Sequence, residues 1–117
     1  MIIEEIADIV KADVLTNYHK GNTELKYGFA SDLMSDVLAY ACSEALLITG
    51  LNNPQVIRTA EMLDINAVLF VRGKRPCDEV IELAKENSIT ILATEYTMFN
   101  TCGLLVLNGM KGLEIDD

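Results

Sequence analysis

The chain contains one histidine and three cysteines, Cys42, Cys77 and Cys102, which are scattered and form no CxxC pair. This odd set speaks against a disulfide scaffold and offers no spacing for a Cys/His zinc site. Basic residues are few: nine Lys and Arg stand against eighteen Asp and Glu, for a net charge of -9. Contacts to phosphate backbones need a basic surface, which argues against nucleic acid as a main partner. An anionic membrane surface repels the chain for the same reason. No apolar run approaches the roughly 18 residues of a membrane span. The first ten residues, MIIEEIADIV, are acidic where a signal peptide is basic. The expectation is a soluble, cytoplasmic protein. The phosphate-cradling GxxxxGKS/T, a GxGxxG after a strand and the GxSxG nucleophile elbow are all missing. The residues name no reaction, no cofactor and no metal, so the expectation is a protein that is not an enzyme.

Apolar residues are what the chain has most of. Half of the 117 residues are hydrophobic and 23% are charged, which disfavours both disorder and coiled coil. A chain of this length buries roughly two-thirds of its unfolded surface, enough for one core. The expectation is a single domain over residues 1–117.

Residues 2–11 place Ile2, Ile3, Ile6, Ile9 and Val10 at helical spacing between charged residues, which predicts an amphipathic helix. A short strand at 12–16 follows, then a polar stretch from Asn17 to Lys26 that reads as a loop, with a short strand at 24–29 as an option. Ser31 or Asp32 can cap the next helix, whose Leu33, Met34, Val37, Leu38 and Ala41 form one stripe. From residue 45 the pattern becomes regular. Apolar runs at 45–49, 67–71 and 89–93 alternate with helical segments. Asn53 and Pro54 suit an N-cap and first helical residue. Pro76 is expected to open the next helix, with Val80, Leu83 and Ala84 inward. The last helix is expected from about Tyr96, with Met98, Cys102 and Leu105 inward, ending near Asn108 and Gly109. Short runs that are apolar on both faces predict parallel strands covered on both sides. The fold class expected is α/β, a three-layer α/β/α domain with a mostly parallel sheet of successive βα units.

In such sheets ligands bind beyond the carboxyl ends of the strands. Three loops are expected there: Thr49 to Asn53, Arg72 to Pro76, and Thr94 to Thr97. The second concentrates Arg72, Lys74 and Arg75 around Gly73, a grouping that suits a phosphate or carboxylate or, equally, a solvated turn. Gly50, with Asn52 and Asn53, offers close backbone approach and two amides, or simply a turn and a helix cap. Thr94, Tyr96 and Thr97 complete the candidate set, although Thr94 or Glu95 can equally cap the last helix. His19 reads as a loop residue. Asp32 and Asp36, four apart on one expected helix face, suit a cation site or an acid/base pair or, more simply, a dipole partner and a solvated face. Cys42 and Cys102 read as buried and inert. Cys77, beside Arg75 at a helix start, can have its thiol activated there, although an unreactive residue is the expectation.

The segment LLITGLNNPQVIRTAEMLDINAVLFVRGKRPCDEVIELAKENSITILATEYTMFNTC, residues 46–102, resembles the DRTGG domain, and SDLMSDVLAYA at 31–41 resembles the helix before that core. Leu51-Asn52 stands where the family usually has Asp-Arg, and Arg72-Gly73 where it has Gly-Gly. The resemblance implies a regulatory role, a fold similar to the N-terminal domain of HPr kinase/phosphorylase, and a stand-alone type associated with iron–iron hydrogenases. The function expected is a non-enzymatic regulatory or accessory domain binding an anionic metabolite or nucleotide at the strand-end loops. The alternative is a structural or protein-interaction module docking on a redox enzyme such as a hydrogenase.

A homodimer is also expected. Mean hydropathy is +0.25, high for a small soluble monomer. The first helix and the run Leu104, Leu105, Val106, Leu107 and Met110 exceed what one small sheet covers.

Overall fold

Every residue of the strand Ala45–Thr49 is buried, and so is every residue of Ala67–Phe70 and Thr90–Ala93. Side chains on a strand alternate between faces, so three such strands side by side must be covered on both. The computed structural model shows this arrangement and describes residues 1–18, 24–73 and 75–114. His19 and Lys74 lie outside the described residues.

The elements run α1 (Ile3–Val10), β1 (Asp13–Thr16), β2 (Tyr27–Ala30), α2 (Met34–Tyr40), β3 (Ala45–Thr49), α3 (Pro54–Met62), β4 (Ala67–Phe70), α4 (Asp78–Glu86), β5 (Thr90–Ala93), α5 (Met98–Leu107) and β6 (Lys111–Gly112). The sheet order is β1-β5-β4-β3-β2-β6. β2 to β5 are parallel in register, β6 adds parallel to β2, and β1 closes the other edge antiparallel to β5. The strand option at 24–29 begins instead at Tyr27.

The alternation of side chains sorts the core into two layers. Leu47, Val68, Phe70 and Ile91 meet Met34 and Val37 of α2, Val56, Ile57 and Ala60 of α3, and Val80 and Ala84 of α4. Leu46, Ile48, Leu69 and Leu92 meet Ile3, Ile6 and Val10 of α1 and Leu105 of α5. The molecule is thus a three-layer α/β/α fold with a mostly parallel sheet, as the patterning predicts. Among the described residues no helix is long and apolar enough to cross a membrane.

Several local expectations are corrected. Neither Ser31 nor Asp32 caps α2. Leu33 is the N-cap, the Leu33 amide donates to Ser31 Oγ in a local turn, and Asp32 reaches across to β3. Leu33 and Leu38 leave the apolar stripe and face solvent. Pro76 is buried ahead of α4, whose N-cap is Cys77. Asn53 does cap α3, accepting from the Gln55 amide at 2.9 Å. Thr97, rather than Thr94 or Glu95, caps α5 by accepting from the Asn100 amide. Leu105 is buried in α5, with Met98 and Cys102 only partly so.

Candidate functional site

The parallel strands β3, β4 and β5 bring the three expected loops to one edge of the sheet. There the chain divides. The loops after β3 and β4 lead into α3 and α4 on one face, and the loop after β5 leads into α5 on the other. Adjacent loops that part to opposite faces leave a crevice, the position where open α/β sheets bind ligands. An open cleft of about 240 Å³ lies there, bounded by Gly73 and Arg75, by Ala93, Thr94, Glu95 and Tyr96, and by Lys11 and Asp13 at the α1–β1 junction.

The second loop is sharply bent where it borders this crevice. Arg72 and Gly73 are both left-handed, at φ 67° and 68°. For a residue with a side chain that conformation is strained. It turns two successive amides toward the neighbouring loop, where Arg72 N donates to the Tyr96 carbonyl at 2.7 Å and Gly73 N to the Thr94 carbonyl at 3.0 Å. Thr94 is itself buried. Its hydroxyl donates to the Val10 carbonyl at 2.7 Å and accepts from the Tyr96 amide at 3.2 Å, tying β5 to the end of α1.

The first loop is organised around a carboxylate. Asp32 Oδ1 accepts from Thr49 Oγ1 at 2.9 Å and from the Gly50 amide at 2.7 Å. Its other oxygen lies 3.6 Å from Arg72 Nη2, which also donates to the Gly50 carbonyl at 3.1 Å. The Asp32–Asp36 pair therefore does not form on one helix face, because Asp32 precedes the helix and is turned toward Gly50. Asn52 bridges the first two loops, donating to the Arg75 carbonyl at 3.4 Å and accepting from the Cys77 amide at 2.9 Å.

These contacts sort the sequence-derived candidates. Gly73, Arg75, Thr94 and Tyr96 border the crevice. Gly50 and Arg72 meet one another beside it, Asn52 braces the loops, and Asn53 and Thr97 cap helices. The amides of Gly50 and Gly73 are already engaged, so a ligand meets side chains rather than a free backbone nest. The basic cluster is internally compensated, Arg72 by Asp32 and Arg75 by Asp13. An exposed ion pair holds its partners weakly, so both guanidinium groups remain exchangeable. The residues that sequence reasoning missed are Lys11, Asp13 and Glu95 at the crevice and Asp32 at Gly50. Lys11 and Asp13 reach it only because β1 pairs antiparallel with β5, a long-range pairing without a local signal.

Burial raises the Cys102 thiol above its ordinary value. Cys77 is exposed at the start of α4.

No curated protein matches the chain. Among solved structures it is similar to the CBS and DRTGG domains of the regulatory region of Clostridium perfringens pyrophosphatase, crystallised with the activator diadenosine tetraphosphate. The TM-score is 0.72 at 20% identity, over 89% of this chain and 45% of that one. The chain thus spans less than half the length of that structure, and the likeness is one of fold. The DRTGG domain family model matches residues 5–107, and the chain belongs to the DRTGG domain family.

Proposed function

We propose that this protein is a non-enzymatic regulatory or accessory domain that binds a small anionic metabolite or nucleotide in the crevice between the β4 and β5 loops. The observation that carries this reading is the cleft itself. It lies where the chain divides between the two faces of the sheet, and Lys11 and Arg75 stand on its rim. Membership of the DRTGG family supports a regulatory setting, since the similar pyrophosphatase structure is a regulatory region bound to a nucleotide activator. The ligand's anionic group would exchange with Asp13 at the Arg75 guanidinium, and the Tyr96 ring would form an amphipathic wall. Three unpaired cysteines favour a reducing, cytoplasmic setting.

A thermal-shift screen against nucleotides and phosphorylated metabolites tests the reading. A ligand at a hundred times its dissociation constant adds about 2.7 kcal/mol to stability. The same ligand should bind at least tenfold more weakly to Lys11→Ala plus Arg75→Ala. Unchanged affinity in that double variant would place binding elsewhere.

The alternative, a module docking on a redox enzyme such as a hydrogenase, draws support from the uncovered apolar residues of α5. Retention of a hydrogenase subunit by the immobilised domain, with no ligand found in the screen, would favour it.

A further inference from the structure

Within α5, Phe99, Gly103 and Leu107 recur at every fourth position and share one face of the helix. All three face solvent. Phe99 is 87% exposed and Leu107 82%, with Val106 beside them at 64%. Apart from its chain neighbours and the backbone of its own helix turn, no atom lies within 4 Å of the place where a Gly103 Cβ would sit. Nothing inside the fold therefore requires glycine there, although glycine is among the least favourable residues in a helix interior. The missing side chain leaves an open groove of about 320 Å³ between Phe99 and Leu104. Charge is absent too: residues 96–110 contain no Asp, Glu, Lys or Arg, in a chain of net charge -9.

One occupant suits all of these features. The stripe reads alike in both directions about Gly103, with a large apolar residue four positions before it and another four after. Two such helices crossing antiparallel on a twofold axis at Gly103 bring Phe99 against Leu107 of the partner subunit at both ends. The glycine lets the backbones approach where they cross. Copies carrying the same negative charge repel over most of their surfaces, and the uncharged strip is where two can meet without opposing like charges. We propose that the Phe99–Gly103–Leu107 face of α5 binds a second copy of this chain, as an antiparallel helix pair about a twofold axis. The N-terminal helix, expected from the sequence to share such an interface, is instead committed to the core through Ile3, Ile6 and Val10. This inference does not rest on the ligand-binding reading: none of the three stripe residues borders the crevice, and only Tyr96 lines both the crevice and the groove.

Sedimentation equilibrium at micromolar concentration tests it, with circular dichroism to confirm the fold of each variant. The unaltered chain should sediment at twice its 12.9 kDa mass. Phe99→Glu or Leu107→Lys alone should weaken association at least tenfold. The two together should restore it, because the opposite charges then face each other across the twofold axis. Gly103→Gln should separate the copies while preserving the helical spectrum, since it fills the crossing point with a better helix former. A single species at 12.9 kDa, a dimer indifferent to Phe99→Glu, or a double variant no more associated than the single ones would each overturn the proposal.

Discussion

The Arg72 guanidinium occupies the space that a side chain on residue 50 would need: a Cβ built on Gly50 would lie 2.1 Å from Arg72 Nη2. Gly50→Ala should therefore evict the guanidinium and break its bond to the Gly50 carbonyl, the same loss that Arg72→Ala produces. Each single change is expected to cost about 1 kcal/mol in urea denaturation, the typical net contribution of such a hydrogen bond. The double variant should cost little more than either one. Additive losses in this cycle would show that the two positions are not coupled through the guanidinium.

Arg72 itself is strained, with a left-handed backbone at φ 67°. Arg72→Gly removes the strain together with the guanidinium, whereas Arg72→Ala removes the guanidinium alone. Arg72→Gly is thus expected to be the more stable of the two by about 1 kcal/mol, the usual difference for an L-residue held in this region. Equal denaturation midpoints would show that the side chain, not the backbone, sets the cost at this position. Glycine would adopt this turn without strain, and here arginine adopts it while reaching the Gly50 carbonyl.

Asp32 links the start of α2 to the end of β3 through Thr49 and the Gly50 amide. Asp32→Ala should leave that hydroxyl and amide without their acceptor and cost about 1–3 kcal/mol, with Asp32→Asn costing less because a carbonyl oxygen remains. Hydrogen exchange at the Gly50 amide should quicken in the alanine variant. Unaltered protection there would show that another group replaces the carboxylate.

The cysteines should separate by reactivity. Cys77 is exposed, and Cys102 is partly buried with its thiol pushed up by that burial. Iodoacetamide at neutral pH should label Cys77 first and Cys102 much more slowly, as intact-mass spectra would record. Above the ordinary thiol value of 9.0 the unfolded chain loses this proton before the folded one. Stability should then fall as pH rises, and Cys102→Val should flatten that slope. Preferential labelling of Cys102 would contradict both expectations.

Sequence patterning alone determined the layered core of this protein. Leu46 to Ile48, Val68 to Phe70 and Ile91 to Ala93 are continuously apolar because both faces of a central strand are covered, and that condition can be read residue by residue. Asn53 before Pro54 was legible for the same reason, since a cap acts within one turn of its helix. Tertiary structure alone decided what depends on contacts distant along the chain. Asp32 reads locally as a helix cap, yet its carboxylate is used seventeen residues away at Thr49. Lys11 and Asp13 read as the charged end of a helix and the start of a strand, and only the antiparallel pairing of β1 with β5 carries them to the crevice. The exposure of Phe99 and Leu107 was equally hidden. A helix apolar on every side does not announce which side the sheet will cover, and that choice is made when α5 packs beside α1.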